Sequence, residues 1–132
     1  MRNAKQALGV IDSALHGGEQ VLAWIPAMSP DAADTGATLA GVLALTTERI
    51  LFHGLLCTAR DQAVPLNSII AVDLKRGLIG HLTFITVTGS VRFEVNGRGC
   101  QRWLSVAEAQ MLRAAHRKAV AVPSDARRLA LH

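Results

Sequence analysis

His53 and Cys57 stand four residues apart, close enough in the chain to suggest an imidazole that takes the proton of a thiol and leaves a nucleophilic thiolate. His53 falls in an alternating strand pattern, however, and Cys57 falls in the loop beyond it. The spacing therefore fixes no geometry, and a buried or incidental thiol is the favoured reading. His16, His81, His116 and His132 are scattered, with no HxxxH or HExxH pair to seat a metal. Cys57 and Cys100 also lack a second ligand at metal-binding spacing. No serine sits in a nucleophile elbow, and no glycine loop carries a phosphate-binding lysine. The expectation is a noncatalytic protein with no cofactor and no metal.

A different chemistry is written in "KRGLIG". Lys75 and Arg76 precede Leu78 and Ile79, an apolar tip set between two glycines. Arg98 and Arg102 follow, then Arg113, Arg117 and Lys118. Cations around exposed apolar residues suit a protein partner or an anionic membrane surface. The competing reading is a tip tucked against its own helix. The chain is basic overall, with net charge +4 and pI ≈ 9.8, but the charge is uneven. Up to Glu48 there are two basic residues against five acidic ones, and from Arg49 onward twelve against five. Nucleic acid is not the expected partner: there is no Tyr, and Trp24 and Trp103 read as core or helix anchors rather than a stacking platform.

The elements that must position these residues follow from periodicity. Ala4, Ala7, Leu8, Ile11 and Leu15 repeat at helical spacing until Gly17-Gly18, which predicts a short amphipathic helix docked on its own protein. "EQVLAWIPAM" reads as a strand stopped by Pro26 and by the polar loop "SPDAADTG", which contains Asp31 and Asp34. "GVLALTTERILFHG" is a hairpin turning at Thr46–Arg49 and apolar on both faces. In the first arm Leu43 and Leu45 point one way and Val42 and Ala44 the other; in the second arm Ile50 and Phe52 oppose Leu51 and His53. Such strands need cover on both sides, from a second sheet on one and from a helix or partner chain on the other. Two more strands flank a turn near Asn67-Ser68. "HLTFITV" turns at Gly89-Ser90 into "VRFEV", with Val91, Phe93 and Val95 on one face. Ser105-Val-Ala-Glu108 has capping-box form and starts a last helix, which Pro123 brings to an end.

The signature "GVLALTTERILF", with "VPLNSIIAVDLKRGLIGHLTF" after it, resembles the bacterial pleckstrin-homology-like domains of the YokE-like kind and, more distantly, GRAM domains. The likeness runs from Glu19 to Ala121. It implies an α+β, mainly β fold: an antiparallel two-sheet sandwich or partly open barrel of about seven strands, capped by a C-terminal helix. The expected organisation is an N-terminal helix in 1–18, the pleckstrin-homology-like domain in 19–121, and a flexible tail in 122–132. Thr46 and Arg49 become structural turn residues, with Arg49 anchored on a nearby carboxylate or carbonyl. The wider superfamily also implies self-assembly. Phosphoinositide-binding relatives place basic residues on the first hairpin loop, but here that loop offers Asp31 and Asp34 and no cation.

The expected function is therefore an interaction module that forms a homo-oligomer or binds a protein, with an anionic membrane as the alternative. Lys75, Arg76, Leu78, Ile79, Arg98 and Arg102 are the candidate contacts. No apolar run reaches the roughly 18–20 residues of a membrane span, and Asp12 interrupts anything like a signal peptide. The expected location is the cytoplasm, with peripheral contact at the inner membrane face under the alternative.

Overall fold

A computed structural model describes residues 3–33, 36–56, 59–96 and 99–120, with backbone only for 118–120. Asp34, Cys57, Arg98, the Lys118 side chain and the expected tail lie outside the described residues.

The first helix, α1 (Ala4–Ser13), opens with a capping box that is easily missed in "NAKQ". Asn3 Oδ1 accepts from Gln6 N at 2.9 Å, and Gln6 Oε1 accepts from Asn3 N at 3.0 Å. The exchange satisfies amides that the first helical turn would leave unpaired. Seven strands follow: β1 (Val21–Ser29), β2 (Leu39–Thr46), β3 (Arg49–Gly54), β4 (Gln62–Pro65), β5 (Ile69–Lys75), β6 (Gly80–Thr86) and β7 (Gly89–Val95). A single 3₁₀ turn, Leu66–Ser68, separates β4 from β5, and α2 (Cys100–Val120) ends the described chain.

The strands pair antiparallel in the order β4-β3-β2-β1-β7-β6-β5. The two halves join through only two residue pairs, Ala27–Val95 and Met28–Glu94. With β4 and β5 at its free ends, the sheet is open and does not close into a barrel.

The doubly apolar hairpin is covered on both faces. Leu43, Leu45, Ile50 and Phe52 enter the main core with Leu82, Phe84, Phe93 and Trp103. Aromatic rings knit that core together: Phe52 and Phe93 centroids are 5.5 Å apart, and Phe84 meets Trp103 edge-on at 6.1 Å. On the other face Val42, Ala44 and Leu51 pack with Ala7 and Ile11 of α1. A helix of the same chain supplies the second cover.

Four sequence readings need correction. β1 does not stop at Pro26 but runs on to Ser29, because its antiparallel pairing with β2 continues past the proline through Ala27–Gly41, Met28–Ala40 and Ser29–Leu39. α2 begins at Cys100, five residues before Ser105, whose hydroxyl donates to Gln101 O at 3.0 Å inside the helix. Cys100 and Trp103 are buried, so core packing extends the helix upstream of the capping-box pattern. The β6–β7 turn falls at Val87-Thr88, not at Gly89-Ser90. Thr86 pairs with Gly89, and its hydroxyl donates to Gly89 O at 3.0 Å. Trp103 is a core anchor, but Trp24 is 43% exposed on the outer face of β1.

Candidate interaction surface

Thr46 and Arg49 organise the β2–β3 turn. The Thr46 hydroxyl oxygen accepts from Glu48 N at 3.1 Å and Arg49 N at 3.0 Å, and its O–H points to Glu19 Oε2 at 2.5 Å. Arg49 grips the same carboxylate with both arms: Nε donates to Oε2 at 3.0 Å and Nη2 to Oε1 at 3.1 Å. Nη2 also reaches Ala14 O at 3.2 Å, just beyond α1. The Glu19 side chain is fully buried. Burial alone raises its carboxyl pKa, but hydrogen bonds from Arg49, Thr46 and the His16 amide, with the Arg49 charge, outweigh that and lower it to about 2. No sequence signal pairs these residues, because thirty positions separate Glu19 from Arg49.

His16 Nδ1 lies 2.9 Å from Glu48 Oε2, so His16, Glu19 and Glu48 form a cluster of metal-ligand types. Both Glu19 oxygens are already held by Arg49, which makes the cluster an ion-pair network that fastens α1 to the turn.

His53 faces Asp61, with Nδ1 2.6 Å from Oδ1, beside a recess of ≈ 190 Å³ bordered by Val10, Ile11 and Ala14. Its candidate partner Cys57 lies outside the described residues.

The residues of "KRGLIG" present apolar groups to solvent beside a groove. Leu78 is fully exposed and Ile79 is 56% exposed. Both border a groove of ≈ 980 Å³ whose opposite wall is Pro26, Met28 and Ala40, with Leu55 beside them. The alternation of β1 places Leu22, Trp24, Pro26 and Met28 on the same outward face, so the apolar surface continues from the groove along that strand.

Two charged residues, Arg76 and Glu94, line this groove among the described residues. Glu94 of β7 pairs across the strands with Met28 on one side and His81 on the other, and His81 lies opposite Lys75. Arg76 reaches α2: with the Gln101 amide turned to face it, Nε donates to the amide oxygen at 3.1 Å and Nη2 donates to the same atom. Neither Arg76 nor Glu94 joins an ion pair among the described residues. Of the candidate contacts, the structure brings Arg76, Leu78 and Ile79 to one groove. Lys75 and Arg102 are exposed, on the adjoining hairpin strand and the first turn of α2, and Arg98 lies outside the described residues. The GLIG tip was legible in the sequence. Its opposite wall was not, since Met28 and Glu94 are brought together only by the β1–β7 junction.

The open sheet and its terminal helix have counterparts among solved structures. A Vps36 N-terminal PH domain aligns over 77% of this chain and 86% of its own, with TM-score 0.64 and 13% identity. The fold is pleckstrin-homology-like. The C-terminal domain of an unknown protein from Leishmania infantum matches with TM-score 0.60 and 15% identity, over 82% of this chain and 94% of that one. The hSac2 domain from human phosphoinositide phosphatase Sac2 matches with TM-score 0.53 and 8% identity, over 86% and 85%. No family model and no curated protein matches the sequence.

Within the pleckstrin-homology-like frame, the β1–β2 loop is tied down. Ala32 is buried, Arg60 N donates to Ala32 O at 2.7 Å, and Arg60 Nη2 donates to Asp31 O at 3.0 Å. A cation absent from the loop's own sequence thus comes to it from the β3–β4 connection and bonds its backbone. No helix among the described residues is long and apolar enough to cross a membrane.

Proposed function

We propose that this chain is a noncatalytic interaction module of the bacterial pleckstrin-homology-like kind, binding protein surfaces, its own copies included, through the groove beside the β5–β6 tip. The observation that carries this reading is the exposed apolar continuity of Leu78, Ile79, Met28, Pro26 and Trp24. Exposed apolar groups of this extent, bordered by charge, mark contact surfaces.

The test is site-specific photocrosslinking in the source cells. A photoreactive residue at position 78 is expected to give a defined adduct, while the same residue at exposed position 12 on α1 gives none. Equal, featureless labelling at both positions would refute the reading.

A second reading, an anionic membrane surface, is favoured by one observation: a fully exposed leucine in a glycine-flanked tip directly follows Lys75 and Arg76. Flotation of the chain with phosphatidylserine vesicles but not with neutral ones supports it, and equal behaviour with both rejects it.

A further inference from the structure

The groove carries a knob and a hollow in the same patch and, among the described residues, a charge of each sign. Leu78 and Ile79 project from the tip, while Pro26, Met28, Ala40 and Leu55 line the depression beside them. The depression, ≈ 980 Å³, lies at the upper end of the ~300–1,000 Å³ range in which pockets admit bulky groups. Arg76 and Glu94 line that same depression, and neither forms an ion pair among the described residues.

Resting on the interaction reading above, we propose that the groove is a twofold interface with a second copy of this chain. The Leu78–Ile79 tip of each copy seats in the hollow of the other, and Arg76 of each faces Glu94 of the other. A twofold contact uses one patch twice, so the patch must complement itself in shape and in charge. This patch offers a protrusion beside an apolar recess and a cation beside an anion. A bilayer presents one sign over a broad plane, and Glu94 inside the groove opposes it. A partner of uniform charge would likewise leave one of the two groove charges unmatched as its water is removed, which is costly. A second copy matches both. Because a twofold contact closes on itself, assembly through this patch stops at two chains.

Sedimentation velocity of the full chain over a concentration series, at low and moderate salt, tests the inference. The wild type is expected to show a reversible monomer–dimer equilibrium with no larger species. Leu78→Asp is expected to weaken dimerisation at least tenfold. The fold should survive it, because Leu78 is fully exposed, and circular dichroism checks that.

Arg76→Glu and Glu94→Arg should each weaken the dimer, and combining both in one chain should restore it by reversing the pair across the twofold axis. A wild type that stays monomeric, a dimer indifferent to Leu78→Asp, growth beyond two chains, or no rescue in the double variant each overturns the twofold pairing. A monomer that floats with phosphatidylserine vesicles in a Leu78-dependent way overturns it in favour of a bilayer. Crosslinking from position 78 to an unrelated protein overturns the pairing but leaves the interaction module standing, whereas featureless labelling removes both.

Discussion

Replacing Glu19 with Gln should reveal how strongly one buried ion pair holds α1 and the β2–β3 turn to the sheet. The carboxyl is fully enclosed, its two oxygens are bonded by Arg49 and Thr46, and its pKa falls from 4.5 to about 2. A depression of that size corresponds to about 3 kcal/mol at neutral pH, at ~1.4 kcal/mol per unit. The sign follows from the depressed folded value. The contribution is present in full above the unfolded pKa near 4.5 and fades as the pH falls through about 2. Glu19→Gln keeps the shape and removes the charge, leaving Arg49 without its counter-ion.

The assay is urea unfolding of wild type and variant at pH 7 and pH 3. At pH 7 the variant should be less stable by about 3 kcal/mol, a midpoint shift of roughly 1–3 M for a slope of ~1–3 kcal/mol per molar. At pH 3 more than half of that difference should be gone, because the wild-type carboxylate is then losing its advantage over the unfolded state. Taking the difference between the two proteins cancels the other carboxylates. A gap that stays constant between pH 7 and pH 3, or none at pH 7, would refute the reasoning.

Three further outcomes follow from the packing. Gly41→Ala would place a Cβ 2.5 Å from both the His53 carbonyl oxygen and the Phe52 ring, so it should cost about 1–3 kcal/mol, read as a lower thermal midpoint. Ile11→Ala should cost ~2–5 kcal/mol by opening the face that Val42, Ala44 and Leu51 share with α1; a loss below about 1 kcal/mol would mean the helix is not a structural cover. Acrylamide should quench Trp24 and largely spare Trp103, with Trp24→Phe removing the quenchable fraction, since their exposures are 43% and 2%.

The local patterns in the sequence carried most of the architecture because they record which side of each element must avoid water. Alternation through Val42–Leu45 and Ile50–His53 separates the two hairpin faces that the structure buries against different partners. The polar Thr46–Arg49 step marks the turn, and GLIG marks an apolar tip. Where local signals compete, reading them alone failed. The Ser105–Glu108 capping box is a good local pattern that lies inside a longer helix, because burial of Cys100 and Trp103 favours an earlier start. Trp24 reads as core by residue type, yet it lies on the outward phase of β1.

By itself, the sequence determined a mainly β chain with a docked first helix, a closing helix and an apolar, basic-flanked tip. These are properties of neighbours in the chain, set by side-chain period and turn chemistry. Only the tertiary structure decided that Arg49 closes on Glu19, that α1 rather than another polypeptide covers the second hairpin face, and that Met28 and Glu94 meet the tip across a groove. Those contacts join residues tens of positions apart, and they form only once the hydrogen-bonded strand order fixes which distant segments lie side by side.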